Sequence, residues 1–295
     1  MSEQRAGVAY GLAAFGWWGL APFYFHALAR VSPWEILAHR IVGSLLLLVV
    51  FQAVAGRLAA LRALLRDRRT LGLLAASTLL VSTNWTLFIW SIATGRLLDA
   101  SFGYFVNPLI NVLLGFVLLG ERFSRRQGLS LLLALAGVLV LGIGYGRPPW
   151  ISLTLALSFG GYGLLRKRAR TGAVAGLTVE TLLAAPFALA YLLWLERGGR
   201  LAFGHAGAGT TWLLAAAGVI TALPLLWFVA AARRLRYATV GLLQYVAPTL
   251  QFLVAVLAFG EAFTGTHAVS FGLIWCALGL YSWDSLRPRQ RSEIS

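Results

Sequence analysis

At 295 residues, 59% apolar and with a mean hydropathy of +0.77, the chain exceeds the roughly 45–50% apolar content of a soluble domain, which excludes a soluble fold. A net charge of +15 would point to nucleic acid in a soluble protein, but here the arginines sit in short clusters between apolar runs, a topology signal that excludes a nucleic-acid surface. The single lysine, Lys167, lies between Arg166 and Arg168, so there is no Gly-Lys-Ser/Thr phosphate loop and no ATP hydrolysis by that route.

In chain order, apolar runs of about 20 residues predict ten spans, near 7–28, 34–55, 71–93, 98–119, 127–145, 150–166, 175–195, 211–232, 238–259 and 266–284. The opening MSEQRAG leads directly into the first span, which is expected to be retained. With both termini placed in the cytoplasm, the inner segments carry Arg5, five Arg between 57 and 69, three between 122 and 126, four Lys or Arg between 166 and 170, three between 233 and 236, and three after 286. The outer loops carry only Arg30, Arg96, Arg147, Arg197 and Arg200, which fixes that orientation as the expectation. Between spans two and three, Gly56 to Thr70 sets Leu58, Leu61 and Leu65 against Arg57, Arg62, Arg66 and Arg69, an amphipathic pattern expected to lie along the inner lipid surface. Its counterpart, Glu196 to Thr210, is rich in Gly and reads as a loose external loop. The lone Cys276 reads as a small buried apolar residue.

The stretch Phe105 to Phe123, FVNPLINVLLGFVLLGERF, returns without a gap as Tyr245 to Phe263, YVAPTLQFLVAVLAFGEAF. Pro108 falls on Pro248, Gly120 on Gly260 and Glu121 on Glu261. Glu121 is followed by Arg122, Arg125 and Arg126, whereas the six residues after Glu261 hold no Lys or Arg, so the two copies end on opposite sides of the membrane. Five spans per half force the same inversion. Trp18 then stands where Tyr162 stands, His39 opposite Glu180, Asn84 opposite Pro224, and Arg96 opposite Arg236. The expected fold class is an all-α integral membrane protein with ten transmembrane helices in two inverted five-helix repeats, 1–146 and 147–286, followed by a cytoplasmic tail, 287–295. Glu121 and Glu261, at loop junctions, read as caps.

Matched glycine and proline interruptions point to a binding site. Gly16, Gly19, Gly160, Gly163, Pro108 and Pro248 are the hinge candidates. Asn84, Asn107, Asn111, Gln244 and Gln251 lie within apolar spans, where an unpaired amide costs about 1–3 kcal/mol, so they must face each other, water or a ligand. Tyr104, Asn107 and Asn111 share a helical stripe, and Trp18, Trp85, Tyr162 and Tyr245 complete the substrate-binding candidates. Glu35 and His39 lie one turn apart near the outer end of span two, and Glu180 about one turn inside span seven. Histidine titrates near 6.5, and carboxylates within spans are few, so Glu35, His39 and Glu180 are the coupling candidates. Glu35 and Arg40 also read as an interfacial ion pair. No site for a metal or other cofactor is expected.

The FGWWG of span one, EILAHR of span two, NWTLFIW of span three, GYFVNPLIN and LGERF of span four, and QYVAPT and GEAF of span nine resemble the RarD-like permeases of the EamA group within the drug/metabolite transporter superfamily. The likeness runs from about Gly7 to Asp284. It implies two inverted five-helix repeats, a central cavity and export of small solutes from the bacterial inner membrane. The expected function is that of a non-enzymatic secondary exporter of an amphipathic or aromatic metabolite or drug, with proton coupling as an option. A facilitator or an accessory membrane subunit is the alternative. Expected partners are a small-molecule solute and the lipid bilayer, with a homodimer as an option and no nucleic acid.

Overall fold

The computed structural model describes residues 3–120, 124–235, 239–240 and 243–286. Glu121, Arg122, Phe123, Arg236 and the tail 287–295 lie outside the described residues. The fold is helical: α1 Glu3–Ala27, α2 Pro33–Val54, α3 Leu58–Arg66, α4 Arg68–Ala93, α5 Leu97–Leu119, α6 Arg125–Tyr145, α7 Trp150–Ala169, α8 Ala173–Arg197, α9 Ala208–Ala232, α10 Val246–Leu253 with a π-turn over Val254–Ala258, and α11 Gly265–Leu286. Of these, α2, α4, α5, α6, α8 and α9 are long and apolar enough to cross a membrane.

Local chemistry sets the helix ends. Pro33 occupies the first turn of α2, where its missing N–H costs nothing. Asp67 caps α4: its Oδ1 accepts from the backbone N–H of Arg69 (3.1 Å) and Thr70 (3.3 Å), and the Thr70 hydroxyl donates to Oδ2 at 2.5 Å. That hydroxyl, with the N–H groups, holds the Asp67 carboxyl below the usual range. Ser124 and Gln127 form a reciprocal capping box at α6. Gly120 and Gly146 end α5 and α6 at φ +66° and +64°, the left-handed conformation that glycine adopts without a Cβ penalty.

The spanning helices are apolar around much of their circumference, because their outward faces meet lipid. Leu132, Ile143 and Trp212 all point out of the bundle. Cys276 does too, against the expectation of a buried residue. Small residues bring helices together where no hydrophobic force separates protein from lipid. Gly43 of α2 and Gly218 of α9 cross backbone to backbone: a Cβ on Gly218 would fall 2.4 Å from the Gly43 carbonyl carbon. Gly103 of α5 likewise meets backbone, where a Cβ would fall 2.6 Å from the Ser152 carbonyl oxygen of α7. Around these crossings α1 packs on α9 and α10, α7 on α4 and α5, α2 on α8 and α9, α4 on α8, and α6 on α11.

Three further expectations change. The glycines of spans one and six do not interrupt their helices. Both α1 and α7 run unbroken, with Gly19 admitting the Leu250 side chain and Gly160 that of Ile110, while Gly16 has open space beside it. The two prolines are also not equivalent: Pro108 lies inside α5, but Pro248 sits in the first turn of α10, after a turn at Gln244 and Tyr245. The loop after α8 is not loose either. Glu35 Oε1 accepts from the N–H of Ala202 (2.8 Å) and Phe203 (3.2 Å), and the Phe203 ring stacks on His39 at 5.0 Å.

Candidate functional site

The bundle centre is built around Arg40, a residue outside the candidate set. Seven residues past Pro33 places it roughly 10 Å along α2, and it is 7% exposed. Its Nε donates to Thr221 Oγ1 of α9 at 2.9 Å. The guanidinium carbon lies 4.5 Å from the Trp85 ring centre on α4 and 5.1 Å from that of Phe25 on α1. Nη1 is buried without a hydrogen-bond partner. The expected ion pair with Glu35 does not form, because the Glu35 carboxylate turns to the Ala202–Phe203 backbone and to His39 Nε2 at 4.0 Å.

Glu180 lies seven residues into α8, at the other end of the bundle from Glu35, whose loop follows the C-terminus of the same helix. Ser77 of α4 donates to Oε1 at 2.5 Å and Tyr162 of α7 to Oε2 at 3.3 Å. Arg166 Nε stands 3.8 Å from Oε1. That guanidinium also donates to Thr171 Oγ1 (2.7 Å) and to the carbonyls of Gly172 (3.1 Å) and Ala173 (3.3 Å), pinning the α7–α8 turn. Gly176 leaves it room, since a Cβ there would land on Nη1. Charge counting assigns Arg166 to a loop. The signal for its second role is Gly176, one turn before Glu180.

The other candidates divide. Trp85 and Glu180 line one small central cavity with Ile41, Thr78, Ser82 and Thr181; at about 10 Å³ it has the volume of roughly one water. The amides go largely to helix contacts. Asn84 donates to the Leu155 carbonyl (3.0 Å) and Ser158 Oγ (3.1 Å) of α7 and accepts from Tyr104 at 2.9 Å. Gln251 donates to the Trp18 carbonyl at 3.2 Å, while Trp18 packs between Phe15 and Phe228. Asn107 Oδ1 is buried without a partner, and Asn111 is exposed beside Gly160 and Gly163. Gln244 and Tyr245 lie, half-buried, in the turn before α10.

A larger cavity, about 280 Å³, opens where the α4–α5, α6–α7 and α10–α11 connections meet, lined by Arg96, Asp99, Tyr145, Arg147, Glu261 and His267. Several of its polar groups are already held by one another. Tyr145 donates to Asp99 Oδ1 at 2.5 Å and lies 2.9 Å from His267 Nε2, and Thr264 N–H donates to His267 Nδ1 at 3.1 Å. Glu261 caps α5 as expected, accepting from Leu97 N–H (2.6 Å) and Leu98 N–H (2.8 Å). Burial pushes its carboxyl up, and those two N–H groups pull it back. Glu261→Ala is therefore expected to destabilise the protein by about 1–3 kcal/mol, read as a lower thermal midpoint in detergent, with Glu261→Gln recovering part. We favour the centre as the functional site because four helices converge there on a cation with unused hydrogen-bonding capacity.

The sequence profile of the EamA-like transporter family matches residues 6–143. The chain is 45% identical to Protein RarD of Streptomyces exfoliatus, over 99% of this chain and 93% of that one. Against Protein RarD of Escherichia coli (strain K12) it is 41% identical, over 99% and 98%. The chain is a RarD-like member of the EamA family. This EamA protein is thus a transporter of the drug/metabolite superfamily, not an enzyme, and a multi-pass protein of the bacterial inner membrane. One solved structure, titled "Crystal structure of protein", matches with a TM-score of 0.62 at 19% identity, covering 98% of this chain and all of that one, and supports the fold alone.

Proposed function

We propose that this EamA transporter crosses the membrane ten times as two inverted five-helix halves, 1–146 and 147–286, with both termini cytoplasmic, and exports a small amphipathic or aromatic solute by alternating access. The observation that carries this reading is the exchange of helix partners. As α1 packs on α9 and α10, so α7 packs on α4 and α5; as α2 packs on α9, so α8 packs on α4. Swapping the halves maps this pattern onto itself, as a two-fold relation requires. The family profile, at 6–143, spans one such half.

Among the contacts between the halves, two crossings correspond to each other, α2 with α9 near Arg40 and α4 with α8 near Glu180. By the internal pairing, Gly43 corresponds to Ala184 and Gly218 to Thr78. The first crossing closes through bare backbone. At the second, Thr78 and Ala184 line the central cavity, and the Ser77–Glu180 hydrogen bond bridges the helices. Alternation then means opening one crossing while the other stays shut, with Glu180 as the coupling carboxylate.

Solute efflux from proteoliposomes, with and without an imposed pH gradient, tests this in the wild type and in Glu180→Gln. The gradient should accelerate wild-type flux and leave the variant unaffected. Flux indifferent to both removes proton coupling and leaves a facilitator. A protein that moves no solute is an accessory subunit.

A further inference from the structure

We propose that Arg40 is the anion-binding residue of the central site and that the transported solute carries a carboxylate. This rests on the transporter reading and names its substrate class. The argument is one of charge balance inside a low-dielectric bundle. A guanidinium buried among apolar helices is costly unless a counter-ion or polar partners take up its charge and its donors. Among the described residues no carboxylate lies within 4.0 Å of Arg40, and the titratable groups facing it are the phenols of Tyr24 and Tyr104. The carboxylates buried in the bundle are already committed: Glu35 to the Ala202–Phe203 backbone, Glu180 to Ser77, Tyr162 and Arg166, and Asp99 to Tyr145.

What holds Arg40 leaves part of its hydrogen-bonding edge unused. Thr221 takes Nε and in turn donates to the Ala217 carbonyl, so its hydroxyl is already satisfied. Trp85 and Phe25 offer ring faces, which attract a cation but accept no in-plane hydrogen bond. Nη1 remains without a partner. A planar fork with a free in-plane donor is the geometry that carboxylates bind. The charge favours a monoanion, since the second cation of the centre, Arg166, is paired with Glu180. The cavity begins at Ile41 and Trp85, the next residue along and the ring that Arg40 covers, so the body of the ligand would extend from there toward Thr78 and Ala184. The cavity is small, so entry requires α4 and α8 to part.

The test uses purified full-length protein and ligand-induced melting shifts over a library of matched probes: phenyl-, indolyl- and alkyl-bearing carboxylates, their uncharged amides, and the corresponding monophosphates. Carboxylates alone should stabilise the wild type. Arg40→Gln should weaken their binding about tenfold or more, and Arg40→Lys less, because lysine keeps the charge and loses the fork. Removing an uncompensated buried cation should leave the unliganded melting temperature of Arg40→Met unchanged or raised, whereas a structural arginine would lower it. Stabilisation by amides or monophosphates in preference to carboxylates, carboxylate binding that survives Arg40→Gln, or a wild type stabilised by no carboxylate each overturn the proposal. The two readings fail separately. Carboxylate binding without flux sinks transport and leaves the anion site, while flux of a neutral solute untouched by Arg40→Gln does the reverse.

Discussion

Arg166→Met is expected to cost the folded transporter about 3–5 kcal/mol, because it leaves the Glu180 carboxylate buried with two hydroxyl donors and no counter-ion. Thermal unfolding in detergent would read this as a large fall in the midpoint. Glu180→Gln alone should cost less, since the amide oxygen can keep the Ser77 bond at Oε1 while the Tyr162 hydroxyl turns to accept from the amide NH2 at the Oε2 position. The decisive variant is the double substitution, Arg166→Met with Glu180→Gln, which should recover much of the loss. A cycle in which the two losses simply add would mean that the 3.8 Å approach carries no coupling. Gly176→Leu offers an independent route to the same defect, because its side chain would occupy the space of the Arg166 guanidinium without touching either charge.

Gly218→Val is expected to be the most damaging single change in α9. Its first side-chain atom would overlap the Gly43 carbonyl carbon, and neither backbone can turn aside as a side chain can. Overpacking of this kind costs about 1–3 kcal/mol, and it would also lift Thr221 away from Arg40, two faces of one event. Gly209→Ala in the same helix, with nothing within 4 Å, should be neutral or slightly stabilising. A Gly218→Val protein that melts like the wild type would show that the crossing yields freely.

Much of the architecture could be read from the residues before any coordinates. Apolar run length located helices such as α2 and α9 to within about three residues, and the Leu/Arg alternation of 58–66 gave the short amphipathic α3. The cap role of Glu261 followed from its place just past a helix. The interior of the site was harder to read, because hydrogen-bond partners in a bundle come from distant parts of the chain. Asn84 and Gln251 looked like ligand contacts since apolar spans rarely carry amides, yet each finds a backbone carbonyl on a neighbouring helix. Arg40 is not singled out by the sequence because Glu35, five residues earlier, offers it a partner; only the three-dimensional fold discloses that a loop 167 residues away claims that carboxylate first. The glycines of α1 and α7 misled in another way. Spacing cannot distinguish a break from a notch that receives a neighbour's side chain.

The contact between Gly43 and Gly218 bears on how the transporter rests between turnovers. Where one junction joins two bare peptide planes, its counterpart interposes a methyl and a hydroxyl-bearing side chain, so the doors of the proposed pathway are hinged on unlike materials. In the alternating cycle proposed above, the two junctions would open at unequal cost, and the empty protein would favour one orientation before any cargo arrives. Such a preference would make the return stroke of the unloaded carrier, as much as the loaded one, a step that sets the cycle's pace.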